Sequence, residues 1–401
     1  MTTYLIIGNG IAANTAAENI RKNDQNGAII IFTREKYFFY YIPALPEYLA
    51  GEKQLPNIII HNEDWYKQNN ITLHRGTDIT AIDPKKKTAT AKDGRIFTYD
   101  KLLLATGGYS FMPPIKGVPA DGVFSLRTLD DANVIKERAK QAKKMALIGG
   151  GLVGLEAGNG LRKLGIQVHV VEFFKRLLPR QMDPEGAALL QKQMEKMGFS
   201  FYLGAKTQDI VREGSGLAVN LEGGEKIAAD MVLVSAGVRP EVTLAKSLGL
   251  EIDKGVKVDD TMKTGIDDIY AAGDLIEHSG RFYGVWPASM EQGRTAGLSM
   301  AGKEAKYTGT VLANSLKVVG IDLVAAGEID AEGKYEAMVK KDAAGSMYRK
   351  IVLQDNKIIG SILFGNITGS DAIQLAIKTK KDVSACRQGL ADETFDFNRL
   401  K

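Results

Sequence analysis

The 401-residue sequence predicts an α/β chain with two parallel-sheet units of one design, followed by a C-terminal α+β portion. Three observations predict this. Ile6-Ile7-Gly8-Asn9-Gly10-Ile11-Ala12-Ala13 is echoed by Leu147-Ile148-Gly149-Gly150-Gly151-Leu152-Val153-Gly154, each an apolar run, a glycine turn and the start of a small-residue helix. Each helix is followed by another apolar run, and strand–turn–helix–strand units lay their strands side by side in parallel. From about Thr310 the texture changes to strand-like runs with no glycine turn.

In the first copy, Tyr4–Ile7 reads as a strand, Asn14–Lys22 as a helix and Ala28–Phe32 as the next strand. Thr77–Asp83 and Lys87–Ala91 read as short strands, with Asp93-Gly94 as a turn, and Lys101–Ala105 is a buried strand running into Thr106-Gly107-Gly108. Met112-Pro113-Pro114 breaks the pattern and marks a domain crossing. The second copy continues with a helix over Leu155–Leu164 and a strand over Gln167–Val171, then a buried strand Met231–Val234. A second break falls at Ala236-Gly237-Val238-Arg239-Pro240, and another buried strand, Ile269–Ala272, leads into Gly273-Asp274. The tail carries strands at Ser315–Val319, Tyr348–Leu353 and Lys357–Phe364, a turn at Gln354-Asp355-Asn356 and a helix near Asp371–Lys380. The expected domains are therefore 1–111 with 241–309, then 112–240, then 310–401.

Composition narrows the function. Hydrophobic residues at 44% and charged residues at 25% are globular values, which excludes disorder and collagen-like repeats. A net charge of +4 is too weak to argue for nucleic acid. No apolar run reaches the roughly 18 residues of a membrane span. The one cysteine, Cys386, excludes an intramolecular disulfide and any cysteine-held iron–sulfur cluster, and it fits a reducing, cytoplasmic setting. His61, His74, His169 and His278 show no metal-ligand spacing, so no metal site is expected.

The glycine turns carry the chemistry. In a Rossmann-like dinucleotide-binding turn the first glycine makes the tight bend, the second lets backbone approach a pyrophosphate, and the third lets helix and strand pack closely. Free N–H groups at the helix N-terminus then face the phosphate charge. Gly8, Gly10 and Ala13 fit with the permitted alanine, and Gly149, Gly151 and Gly154 fit fully; Ala12, Leu152 and Val153 fill out the two turns. Each match follows a strand and opens a helix, so two dinucleotides are expected. Glu172, at the end of the second copy's following strand and 23 residues after Gly149, suits a free adenosine ribose and favours NADH over NADPH. Lys175 and Arg176 read either as tolerance of a 2′-phosphate or as a solvated helix start. In the first copy the acid comes about two positions late, and Glu35 reads equally as a ribose ligand or a surface-loop carboxylate.

Taken in order, the Gly8–Ala13 turn, Leu103-Leu104-Ala105-Thr106-Gly107, the Gly149–Glu156 turn, Ala236–Pro240 and Ile269–Asp274 resemble the FAD-dependent pyridine nucleotide–disulfide oxidoreductase superfamily over nearly the whole chain. The resemblance implies FAD at the first turn and NADH at the second. It implies that Asp274, with Gly273, meets the ribityl or pyrophosphate region of FAD, that Thr106 and Gly107 lie on its pyrophosphate side, and that Gly237 belongs to the cofactor-binding loops. Glu241 stands where the family usually has Asn and carries no ligand role. Disulfide reductases of this superfamily place a cysteine pair, and oxidases and peroxidases a single cysteine, in the region of Phe39–Gly51; here there is none. That segment is similar instead to NADH:rubredoxin oxidoreductases, to the flavin portion of assimilatory nitrite reductases and to flavoprotein subunits of anaerobic 2-oxoacid and aldehyde dehydrogenase complexes, although Ile42 stands where those relatives have Arg.

Hydride transfer between nicotinamide and flavin needs neither a nucleophile nor a metal, so the expected catalytic residues are positioning ones. Glu156, expected in the first turn of the second copy's helix, reads equally as a group pointing to the nicotinamide or as a helix-dipole carboxylate. Trp286 either flanks the flavin or is a core aromatic, and Tyr41 and Pro43 line the other side. Gln292, Gly293 and Arg294 are expected to open a helix behind the flavin. The resulting expectation is an NADH-dependent flavoprotein passing electrons to a small iron–sulfur carrier such as rubredoxin or ferredoxin. The alternatives are a flavoprotein subunit of a multisubunit complex, working towards NAD reduction or as a structural or sensing subunit, and an oxidase using flavin alone. A homodimer through the C-terminal domain is also expected.

Overall fold

The structure, a computed structural model, describes residues 1–118, 120–318, 320–342 and 344–400, with backbone alone for 313–318. It divides into two compact units: residues 1–42, 55–109 and 238–310 form one, and residues 43–54, 110–237 and 311–400 belong to the other.

The first unit is organised by a five-stranded parallel sheet in the order Ile269–Ala271, Lys101–Leu104, Thr3–Ile7, Ala28–Thr33, Ile71–Arg75. Strands buried on both faces read as unbroken apolar runs, which is why Leu5, Ile6, Leu102 and Leu103 are wholly inaccessible. The helix Ile11–Asn23 starts three residues before the expected Asn14, because Gly10 is its N-cap and Ile11 and Ala12 are already helical. Its buried Ala12, Ala13, Ala16, Ala17 and Ile20 form a narrow apolar stripe at helical spacing. The helix Trp286–Met300 lies directly against it: a Cβ on Gly293 would meet the Ala12 carbonyl oxygen at 2.3 Å, and one on Gly297 the Ala16 carbonyl oxygen at 2.4 Å. Gln292-Gly293-Arg294 therefore does not open this helix. The helix begins at Trp286, where Pro287 suits a first turn whose N–H groups have no partner anyway. A small antiparallel sheet, Ile79–Asp83, Thr88–Ala91 and Ile96–Thr98, completes the expected hairpin.

The second unit repeats the plan. Its parallel sheet runs Ser200–Leu203, Gln167–Glu172, Lys144–Ile148, Met231–Val234, Val123–Phe124. The pairing register reproduces the first sheet: Ile148 lies beside Val171 and Val234, as Ile7 lies beside Phe32 and Leu104. The tail forms a five-stranded antiparallel sheet in the order Ala313–Val318, Ile321–Gly327, Lys357–Phe364, Tyr348–Gln354, Glu336–Lys341, with the helix Ser370–Thr379 on it. Val319, the expected end of the first of these strands, lies outside the described residues. Leu147, Leu161 and Val170 share one apolar cluster with Leu323, Ile362 and Phe364, so the second nucleotide sheet and the tail sheet have a common core. Within it Asp183 caps the helix Pro184–Lys196, accepts from the Tyr348 hydroxyl at 2.6 Å and pairs with Lys350 Nζ at 3.1 Å. Among the described residues no helix is long and apolar enough to cross a membrane.

Candidate functional site

The first glycines of the two turns are placed alike. Gly8 and Gly149 have φ of +118° and +110°, a region that only glycine enters easily. Each backs onto the carbonyl of the strand beyond: a Cβ on Gly8 would lie 2.0 Å from the Ala105 oxygen, and one on Gly149 2.2 Å from the Ser235 oxygen. Each donates its N–H at 2.8 Å to the end of the following strand, Gly8 to Phe32 and Gly149 to Val171. These first glycines are required by the protein itself.

The second glycines are different. Gly10 and Gly151 are the N-caps of their helices, with φ of −85° and −83° that any residue adopts, and a Cβ on either meets nothing within 4 Å. The fold does not demand glycine there, and a methyl group would fill open space at the mouth of a helix N-terminus. Such a cradle fits the diphosphate of a dinucleotide approaching on unpaired N–H groups. Both turns also sit where the strand order reverses about Thr3–Ile7 and Lys144–Ile148, the place at which open parallel sheets take nucleotides. FAD and NADH therefore fit the residues present. At the third position Ala13 is wholly buried, while Gly154 is pressed on Ser235, whose Cβ would come within 2.8 Å of an added Cβ. Ala12 is buried, Leu152 opens the second helix, and Val153 is exposed.

The acids behind the turns differ. Glu172 is buried at the end of its strand, where Oε2 accepts from the Gly150 N–H at 2.5 Å and Oε1 from the Phe174 N–H at 2.8 Å. By register its counterpart in the first unit is Thr33, not an acid. Glu35, two residues on, is half-buried and accepts from the Tyr40 hydroxyl at 2.8 Å. Arg176 donates to the carbonyls of Met182 and Pro179, both at 3.2 Å, which occupies the guanidinium with backbone.

Around the first turn, Thr106 donates to the Glu241 carbonyl at 2.8 Å, and Gly107, at φ +68°, accepts from the Glu241 N–H. Glu241 thus contributes backbone to this loop. Gly273 turns at φ +88° and donates its N–H to Gln292 Oε1 at 2.9 Å, while Asp274 accepts from the Ser289 hydroxyl at 3.0 Å. Trp286 is half-buried, stacked on Phe39 at 5.9 Å and met edge-on by Tyr41 at 4.9 Å. Beneath the turn lies a group that motif reading missed: Asn14, 1% exposed, with Asn9, Tyr66 and His61. Burial holds His61 down to about 4 and raises Tyr66. An asparagine inside an alanine stripe was the available signal.

In the second unit, Pro43 is exposed in the 3-10 turn Ile42–Ala44, and Gly237 bends at φ +99° with open space around it. Glu156 corrects its expected placement. The helix starts at Leu152, so Glu156 is one turn in and the first turn holds no acid. Burial, and then the nearby charge of Glu47, push its carboxyl up to about 7, opposite to what a helix dipole would do. The adjoining helix Leu45–Leu49 lies close to its own: a Cβ on Gly160 would lie 3.1 Å from the Pro46 carbonyl oxygen. Cys386 is buried and unpaired.

Comparison with known proteins accords with this geometry. Residues 2–293 match the family described as pyridine nucleotide-disulphide oxidoreductase, and residues 313–381 match the rubredoxin NAD+ reductase C-terminal domain. The chain is 36% identical to a nitrite reductase [NAD(P)H] of Bacillus subtilis, over 95% of this chain and 48% of that one. It is 32% identical to the NADH-rubredoxin oxidoreductase of Clostridium acetobutylicum, over 95% of each. The putidaredoxin reductase of a covalent complex with putidaredoxin superposes with a TM-score of 0.89 at 25% identity, over 100% of this chain and 98% of that one. The chain spans about half the length of the Bacillus relatives it matches and nearly all of the clostridial one. The chain belongs to the pyridine nucleotide-disulphide oxidoreductase family.

Proposed function

We propose that this chain is an NADH-dependent FAD oxidoreductase that passes electrons to an iron–sulfur protein. One observation carries the reading: two dinucleotide cradles stand in a chain whose single cysteine is buried and unpaired. Electrons entering here have no thiol to receive them and must leave for another molecule. The rubredoxin and putidaredoxin partners named for two relatives, and the rubredoxin reductase-type tail, favour an iron–sulfur acceptor.

FAD is assigned to the Gly8–Ala13 turn with Glu35, Thr106, Gly107, Gly273 and Asp274, and NADH to the Gly149–Gly154 turn with Glu172 and Gly237. Bound FAD supplies a ring that takes up a hydride and gives up electrons singly. The chain's own residues bind, orient and exclude water. The Glu172 carboxylate stiffens the second turn through the Gly150 N–H and has lone pairs left for a ribose diol, while Arg176 is held by carbonyls, which favours NADH. Glu156, raised to about 7 by burial and the charge of Glu47, holds a proton near neutral pH at the nicotinamide side. Trp286, fixed by Phe39 and Tyr41, shields the ring system, and Pro43 is assigned a positioning role of its own. The domain division is read as 1–111 with 241–309 for FAD, 112–240 for NADH and 310–401 for the tail, which we assign to contacts with partners or a second copy. The setting proposed is the cytoplasm.

Half-length coverage of the nitrite reductase favours a second reading, in which the chain is the flavoprotein portion of a larger oxidoreductase. Steady-state anaerobic reduction of rubredoxin by NADH decides between them. The first reading expects turnover by the isolated chain. Slow rubredoxin reduction beside fast turnover with an artificial acceptor would favour the second.

A further inference from the structure

The first glycine turn holds an amide whose orientation can be deduced. Asn14 Nδ2 lies 3.1 Å from the Asn9 carbonyl oxygen and 3.0 Å from the Gly10 carbonyl oxygen. Two carbonyls can only accept, so this atom is the NH2 and the Asn14 amide cannot be flipped. The same NH2 lies 3.0 Å from the Asn9 side-chain amide, which must therefore present its oxygen. The Tyr66 hydroxyl, 2.9 Å from that oxygen and 2.8 Å from Asn14 Oδ1, adds a second donor between the two amides. Asn9 is left with its own NH2 directed elsewhere and without a partner among the described residues, at a half-buried position next to Gly10. Such a group can donate to a ligand approaching Gly10.

The second turn has no such device. Gly150 takes the place of Asn9, and a Cβ there would come within 2.9 Å of Leu177 Cδ2 and 3.1 Å of Glu172 Oε2. Wholly buried Leu155 takes the place of Asn14. There the carboxylate of Glu172 holds the turn from behind; in the first unit Thr33 stands at that register, and the amide pair does the holding.

We propose that Asn9 is a phosphate-binding residue of the first turn, with Asn14 and Tyr66 as the positioning residues that direct its N–H bonds away from the protein. This rests on the first turn being the FAD site. The ligand group is the anionic diphosphate, whose oxygens take charge-assisted hydrogen bonds.

Asn9→Asp tests it cleanly, because the new carboxylate still offers one oxygen to Asn14 and Tyr66 while the outward NH2 becomes an acceptor. Deflavinated protein is titrated with FAD by flavin fluorescence, and with NADH separately. Asn9→Ala is expected to weaken FAD roughly 3- to 10-fold, and Asn9→Asp more than about 10-fold at pH 8, where the carboxyl is ionised. Tyr66→Phe is expected to weaken FAD about 2- to 5-fold through looser orientation of Asn9. NADH affinity stays unchanged in both Asn9 variants, and the melting temperature stays unchanged in Asn9→Asp, which keeps the oxygen that Asn14 and Tyr66 use. Binding of FAD by Asn9→Asp within about twofold of wild type at pH 8 overturns the assignment of Asn9, and unchanged binding by Tyr66→Phe overturns the positioning role. Wild-type protein that takes up no FAD overturns the reading of the turn, and this proposal with it.

Discussion

Replacing Gly8 and Gly10 one at a time by alanine separates what the fold needs from what a ligand needs. At Gly8 the new Cβ enters at φ +118° and 2.0 Å from the Ala105 carbonyl oxygen, roughly 1 Å inside normal contact. Positive φ costs about 1–2 kcal/mol for an L-residue, and overpacking against backbone about 1–3 kcal/mol more, so Gly8→Ala should destabilise the deflavinated protein by about 2–5 kcal/mol. At Gly10 the backbone is extended, at φ −85° and ψ −169°, and nothing lies within 4 Å. The loss of glycine's unfolded-state entropy and its slightly better capping nearly offset each other, so Gly10→Ala should stay within about 1 kcal/mol of wild type. Its cost appears only with ligand, as FAD affinity lower by roughly 10-fold or more. Melting of the deflavinated protein followed by FAD titration reads both quantities. Equal destabilisation by the two variants, or undiminished FAD binding by Gly10→Ala, would refute the division of labour between the glycines.

Three further outcomes are expected. Glu156 is raised from its ordinary value to about 7, so its neutral form is favoured in the folded protein; its stabilising contribution is complete below about pH 4.5 and is lost as pH rises through about 7. Glu156→Gln should therefore flatten the stability–pH curve over that range by an amount on the order of 1–3 kcal/mol, and should remove an apparent pKa near 7 from the NADH half-reaction; an unchanged curve counts against the assignment. Glu172→Gln should weaken NADH about 10-fold while narrowing its advantage over NADPH, measured by competitive titration, since it keeps the shape but loses the anion. Lys350→Met leaves Asp183 buried without its cation and should cost about 3–5 kcal/mol in chemical denaturation, with Asp183→Asn in addition restoring part of the loss; a smaller single-variant effect would show that the Tyr348 hydroxyl alone sustains the carboxylate.

The parallel sheets were legible because buried strands such as Lys101–Leu104 and Met231–Val234 announce themselves as apolar runs, and the turns because glycine spacing is a local signal. Helix starts were less legible. Gly10 and Gly151 act as caps without a capping side chain, so both fingerprint helices begin three residues earlier than polar and apolar pattern suggests, and Glu156 moves out of the first turn with them. Gln292-Gly293-Arg294 was misplaced as a helix start for a related reason: Gly293 looks like punctuation but serves the close approach to Ala12, a partner nearly three hundred positions away in the chain. Asn14, Tyr66 and His61 belong to no motif, and only the fold brings them to the same turn. Lys350 and Asp183 are likewise paired by tertiary structure alone.

The central claim is that NADH held at the second turn delivers a hydride to FAD held at the first, and that the electrons then leave singly to a separate iron–sulfur protein. Mixing the FAD-loaded chain anaerobically with NADH, then with oxidised rubredoxin in excess, tests it most directly. The account predicts loss of the oxidised-flavin absorbance on adding NADH, followed by reduction of two rubredoxins for each NADH consumed. Flavin that keeps its oxidised spectrum in excess NADH would contradict it.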